Sequence, residues 1–123
     1  MTVSVTNLTP HAINVCNSDN QVIKTFEPSK DYNTIRVIKE TVYTNTRVND
    51  VPLVKTIISI QESLATLPTR ETDTVFLVSG MVLDFIKNHS KRTDFVAPDT
   101  NSAVRNDKGH IIGVYSFEVI NRA

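Results

Sequence analysis

The sequence predicts an α+β fold: mostly antiparallel β-sheet, one principal α-helix at about residues 80–89, and a C-terminal β-hairpin. Three observations carry this. Period-two alternation, dense in Thr and Val, recurs over most of the chain, as half-buried strands require. A single stretch, Met81-Val82 with Phe85-Ile86, recurs at helical spacing behind a capping serine. Near the end, Asn106-Asp107-Lys108-Gly109 separates two extended runs, with Gly109 suited to a positive φ. At 123 residues and 13.8 kDa, the chain reads as a single domain over 1–123.

The elements follow in order. Thr2–Thr6 alternates polar and apolar residues, and Asn7-Leu8-Thr9-Pro10 is a turn cluster because Pro10 removes a donor and holds Thr9 extended. His11–Val15 is a short strand. Asn17-Ser18-Asp19-Asn20 turns it into Gln21–Phe26, with Val22, Ile23 and Phe26 as core candidates. After the loop Glu27–Asp31, Tyr32–Val42 alternates through Ile35 and Val37, with Tyr43 as a further inward position. Asn45–Asp50 reads as a polar connection and Val51–Ile58 as a strand with Pro52 at its start or on an edge.

Gln61–Leu67 suits one helical turn, ended by Pro68. Thr74–Val78 is a continuous buried strand, and Ser79 caps the helix from Gly80 to His89. Met81, Val82, Phe85 and Ile86 form its apolar face, while Lys87 and His89 complement the dipole in its last turn. A short extended run and a polar loop span Arg92–Ser102. Ala103–Arg105, the Asn106–Gly109 turn and His110–Ile120 make the terminal hairpin.

Composition excludes several classes. Lys plus Arg and Asp plus Glu are 13 each, so no positive surplus favours bulk nucleic-acid or anionic-membrane binding. The three glycines occupy neither a dinucleotide-fold nor a P-loop spacing. The one cysteine, Cys16, makes no internal disulfide and no cysteine-based zinc site, and no histidine pair has ligand spacing, so neither cofactor nor metal is expected. No secretory signal or membrane-spanning stretch is visible at the N-terminus or beyond, which leads to an expected cytoplasmic location.

Three places can hold chemistry. Ser79-Gly80 brings a strand into a helix N-terminus, either a simple cap or an anion site made of main-chain N–H groups. Arg92 and Asp99-Thr100 bracket a long polar segment: the guanidinium suits phosphate, and Asp99 and Thr100 suit hydroxyl or amine groups. The plain alternative is a polar turn with Arg92 paired to Asp94. Arg105 either joins the same cleft or is a solvated strand residue. His11, after Thr9-Pro10, is the histidine best placed for a ligand contact or general base, against a bland reading as a turn histidine. No Ser/His/Asp, Cys/His or paired-carboxylate constellation is legible, so the sequence lends an enzyme no positive support.

Asn7-Leu8-Thr9-Pro10-His11, Val51-Pro52-Leu53-Val54, Leu77-Val78-Ser79 and Asp94-x-Val96-Ala97-Pro98-Asp99-Thr100, followed by Ala103-Val104-Arg105, stand in one order. In this the chain resembles an uncharacterised family of small phage and prophage proteins over most of its length. It departs from the pattern at Ser59–Ser63, where glycines are common. The resemblance implies a phage context and no mechanism. By size and context alone, it suggests an anti-defense sponge that sequesters a nucleotide immune messenger of the host.

The expectation is therefore a homo-oligomer, since open sheet edges invite pairing. It binds a small nucleotide-like ligand through Ser79, Gly80, Arg92, Asp99, Thr100, Arg105 and His11. The competing readings are a protein-interaction or structural module, and a small nucleotide hydrolase using His11 and Asp99.

Overall fold

The computed structural model describes residues 3–60 and 67–120. Its strands are β1 (Ser4–Asn7), β2 (Ile13–Cys16), β3 (Val22–Phe26), β4 (Val37–Val48), β5 (Val51–Ile60) and β6 (Thr74–Leu77). The helix α1 (Gly80–His89) follows, then β7 (Phe95–Pro98), β8 (Ala103–Arg105), β9 (Ile111–Val114) and β10 (Phe117–Val119). The α+β class and the helix bounds agree with expectation. The predominance of antiparallel pairing is met only in part.

The first sheet has the order β1-β6-β7-β10 and is mixed: β1 and β6 are parallel, β6 and β7 are parallel, and β10 is antiparallel to β7. The parallel step has a simple cause. A ten-residue helix is about 15 Å long, roughly the length of a four-residue strand, so α1 returns the chain to the end where β6 began. The second sheet, β3-β2-β9-β8, joins two antiparallel hairpins through a parallel contact at Val15 and Val114. There Gly113 lets β9 approach β2 closely, because a Cβ on it would lie 2.6 Å from Cys16 Sγ.

The terminal hairpin is shorter than expected. Asn106 Oδ1 accepts the N–H groups of Lys108 and His110, and Gly109 has φ +82°, so β8 and β9 pair across that turn. The chain then leaves at Tyr115-Ser116, and β10 pairs with β7 in the first sheet. One arm of the expected hairpin is thus divided between two sheets.

A two-stranded ribbon, β4-β5, stands apart from both sheets. Its strands have 12 and 10 residues, and its tip is Asn49-Asp50 with φ 50° and 63°, the pair of left-handed residues that a two-residue turn matching strand twist requires. The expected polar connection over Asn45–Asp50 is corrected: β4 continues to Val48, with a register shift between Tyr43 and Arg47 absorbed where Asn45 takes φ 65°. Tyr43 is 71% exposed rather than inward.

The core lies between the first sheet and α1, with Phe76, Val78, Val82, Ile86, Phe95 and Ala97 fully buried. Phe76 packs on Phe95 at 5.5 Å between ring centroids. The helix buries Val82, Leu83 and Ile86, so the expected face is rotated: Met81 is exposed and Phe85 half-buried. Three consecutive apolar residues, Met81-Val82-Leu83, leave the phase of the stripe undetermined by spacing alone. Val22 and Ile23 are likewise exposed, because β3 is the edge of the second sheet; Phe26 is half-buried against Phe117 at 5.7 Å. Of the stretch expected to form a helical turn, residues 61–66 lie outside the described residues, and Leu67 is buried.

Candidate functional site

The Asn7–His11 motif is a structural knot. Asn7 is 2% exposed, and its amide satisfies all four of its bonding positions. Nδ2 donates to the carbonyls of His11 and Phe26 at 2.9 and 2.8 Å, while Oδ1 accepts from Thr9 N–H and Thr9 Oγ1 at 2.9 and 2.7 Å. The motif's histidine serves through its carbonyl, which shares the single Thr9 hydroxyl proton with Asn7 Oδ1. Its imidazole sits on an exposed residue and makes no hydrogen bond among the described residues.

Arg92 belongs to the core scaffold. Its Nε and a terminal nitrogen donate to the two carboxylate oxygens of Asp94 at 3.0 and 2.6 Å, and its other terminal nitrogen donates to the Pro68 carbonyl. The guanidinium lies 4.8 Å from the Phe95 ring centroid and 5.9 Å from that of Phe76. Fork, carbonyl and aromatic faces fix one orientation, which points the group at protein. Of the two readings of Arg92, the local pair with Asp94 is the one realised. Arg105 donates to the Gly109 carbonyl at 2.8 Å and secures the β8–β9 turn. Asp99 accepts the Asn101 N–H at 3.1 Å and the Ser116 hydroxyl at 3.4 Å, closing its own turn.

Three expected residues do converge. Ser79, Gly80 and Thr100 line one open groove of about 510 Å³ with Pro10, Thr34, Ile35, Arg36, Val37 and Met81. The elements explain the meeting. The β6-α1 junction supplies Ser79-Gly80, the loop after β7 supplies Thr100, and the segment entering β4 supplies Thr34 to Val37. Ser79 caps α1 with extended backbone, φ −68° and ψ 160°, and its Oγ accepts the Val82 N–H at 3.3 Å. The N–H groups of Gly80 and Met81 have no acceptor among the described residues and remain available at the positive end of the helix. A Cβ on Gly80 would meet nothing within 4 Å, so the approach to these amides is open.

Arg36 is the residue that the sequence did not disclose. It is exposed, forms no ion pair among the described residues, and lines the same groove. Nothing distinguished it among 13 basic residues, because its value lies in a neighbour 43 positions away on the chain, Ser79. Thr34 and Thr100 add hydroxyls; Pro10, Ile35, Val37 and Met81 add apolar walls. Beside this rim, Tyr32 donates to Glu71 at 2.6 Å, and that bond to a carboxylate holds the phenol above its ordinary pKa. Among the described residues, no cluster of three His, Cys, Asp or Glu side chains is placed to hold a metal ion, and no helix is long and apolar enough to cross a membrane. Comparison with family models, curated proteins and solved structures finds no match to this chain.

Proposed function

We propose that this chain binds a small nucleotide-like anion in the groove at the N-terminus of α1 and holds it without altering it. The observation that carries the reading is that Ser79 and Gly80 at the open N-terminus of α1, Thr100 and Arg36 line one groove together with Pro10, Ile35, Val37 and Met81. The amides and the cation suit phosphate. The walls suit a planar or sugar moiety, and the hydroxyls suit its polar edge. The phage or prophage context implied by the resemblance makes sequestration of a host messenger in the cytoplasm the biological sense of such binding. Relative to the sequence expectation, Arg36 takes the phosphate role assigned to Arg92, while Ser79, Gly80 and Thr100 keep theirs.

Titration calorimetry and thermal shift with linear, cyclic and ADP-ribose-type nucleotides, followed by mass analysis of the recovered ligand, test this. Binding of at least one nucleotide is expected, with the ligand recovered intact. Arg36→Ala should weaken affinity by about tenfold or more, as loss of one charge-assisted contact implies, without lowering the melting temperature of the free protein. Absence of binding at millimolar ligand, or equal affinity of Arg36→Ala, would overturn the reading. A cleaved ligand would instead favour the hydrolase reading, in which His11 and Asp99 act.

A further inference from the structure

The β4-β5 ribbon carries a surface that the groove does not use. Half of the exposed large hydrophobic residues among those described lie on this one ribbon. At about 3.3 Å per residue it is roughly 40 Å long. Among the described residues its base is anchored, where Val37 and Ile60 join the core and β5 packs beside α1. A two-stranded ribbon is marginal in water unless a further layer covers it.

Register separates its two faces. Val37 with Ile60, Lys39 with Ile58, Thr41 with Thr56 and Tyr43 with Val54 share the face that begins in the core. The other face carries Ile38 with Ser59, Glu40 with Ile57, and Val42 with Lys55. Alternation adds Leu53 to it. On this outer face Ile38, Ile57 and Leu53 are 47%, 43% and 39% exposed. Glu40 and Lys55 are diagonal neighbours within it.

We propose that the outer face of the β4-β5 ribbon is covered by the same face of a second copy of this chain. Three features select that occupant. The face carries three exposed apolar side chains, Ile38, Leu53 and Ile57, which form the kind of apolar centre that a dimer interface buries. Its only charges are one acid and one base, so a partner related by a two-fold axis lying in the contact plane brings its Lys55 to Glu40 and receives the reverse contact. The chain itself is neutral, so copies approach without net repulsion, whereas an anionic membrane requires a basic surplus that this face, with Glu40 against Lys55, lacks.

Light scattering across a dilution series from 1 to about 100 μM, in a column eluent free of nucleotide, tests the proposal. Wild type should reach at least twice the 13.8 kDa chain mass. Ile57→Lys should remain monomeric at concentrations at least tenfold higher, with unchanged circular dichroism of the first sheet and helix. Ile23→Lys, on the exposed edge strand β3, controls for charge alone and should assemble as wild type does. If the Ile57→Lys ribbon fails to form, Glu40→Lys and Lys55→Glu decide: each should dissociate the assembly singly, and the double exchange should restore it. Wild type that is monomeric throughout, or assembly untouched by all these substitutions, overturns the proposal. So does a monomer captured by anionic vesicles.

Discussion

At the scale of single residues, polar side chains that look alike in sequence divide into those that serve the fold and those that remain open. Asn7 has all four positions of its amide filled by protein partners, and Arg92 gives three hydrogen bonds to Asp94 and the Pro68 carbonyl. Asn7 and Asp94 are 2% and 9% exposed, and a buried polar group must find its bonds inside the molecule. The pairing of Arg92 with Asp94 was legible as a local alternative, since two residues in an extended segment share a face. The two phenylalanines beneath the guanidinium were not, because β6 and β7 bring them together only in the folded sheet. Arg92→Ala should therefore destabilise the protein by about 3 kcal/mol, since it leaves the Asp94 carboxylate buried without its fork. Replacing both members, Arg92→Met with Asp94→Leu, should recover most of that loss. Urea unfolding of the single and double variants checks this, and a single variant as stable as wild type would show that the pair is dispensable.

At the scale of elements, local signals served well where neighbouring residues alone decide the geometry. Ser79 as the cap, Gly109 as the positive-φ turn residue and the Asn17–Asn20 turn are all local, and Asn17 Oδ1 does accept the N–H groups of Asp19 and Gln21. What was not legible is which hairpin meets which. The joining of the two hairpins of the second sheet depends on Gly113 passing Cys16, a contact between residues nearly 100 positions apart. Gly113 carried no turn signal because its φ is not positive; its role is the space it leaves. Gly113→Ala should cost roughly 1–3 kcal/mol, because the buried Sγ must move to admit a methyl group. Cys16→Ala should be mildly destabilising alone yet relieve much of the penalty when combined with Gly113→Ala. A double-mutant cycle in urea measures that coupling, and simple additivity of the two changes would place the strain elsewhere.

At the scale of the whole molecule, the chain divides its apolar residues between a dry core and a ribbon left in water. Alternation over Tyr32–Val42 and Val51–Ile58 correctly signalled extended backbone, and equally suggested one face turned inward. That inference fails beyond Val37 and Ile60, because periodicity reports that a strand has two faces and says nothing of what lies over them. Long-range topology, not composition, leaves the ribbon alone. The uneven burial has a dynamic consequence. Amides of the first sheet, such as those of Phe76 and Val78 bonded to the Asp94 and Val96 carbonyls at 2.8 Å, open only with the core. Amides in the distal ribbon open by fraying of a two-stranded ladder, at a far smaller free energy. If a second copy covers the ribbon, its opening requires dissociation first. Hydrogen exchange within β4 and β5 should then slow as protein concentration rises, while exchange of the Phe76 and Val78 amides stays the same. Ile57→Lys should remove the concentration dependence and leave first-sheet protection intact. Ribbon exchange equally slow at 1 and 100 μM in a monomeric protein would instead mean that the ladder is stable by itself.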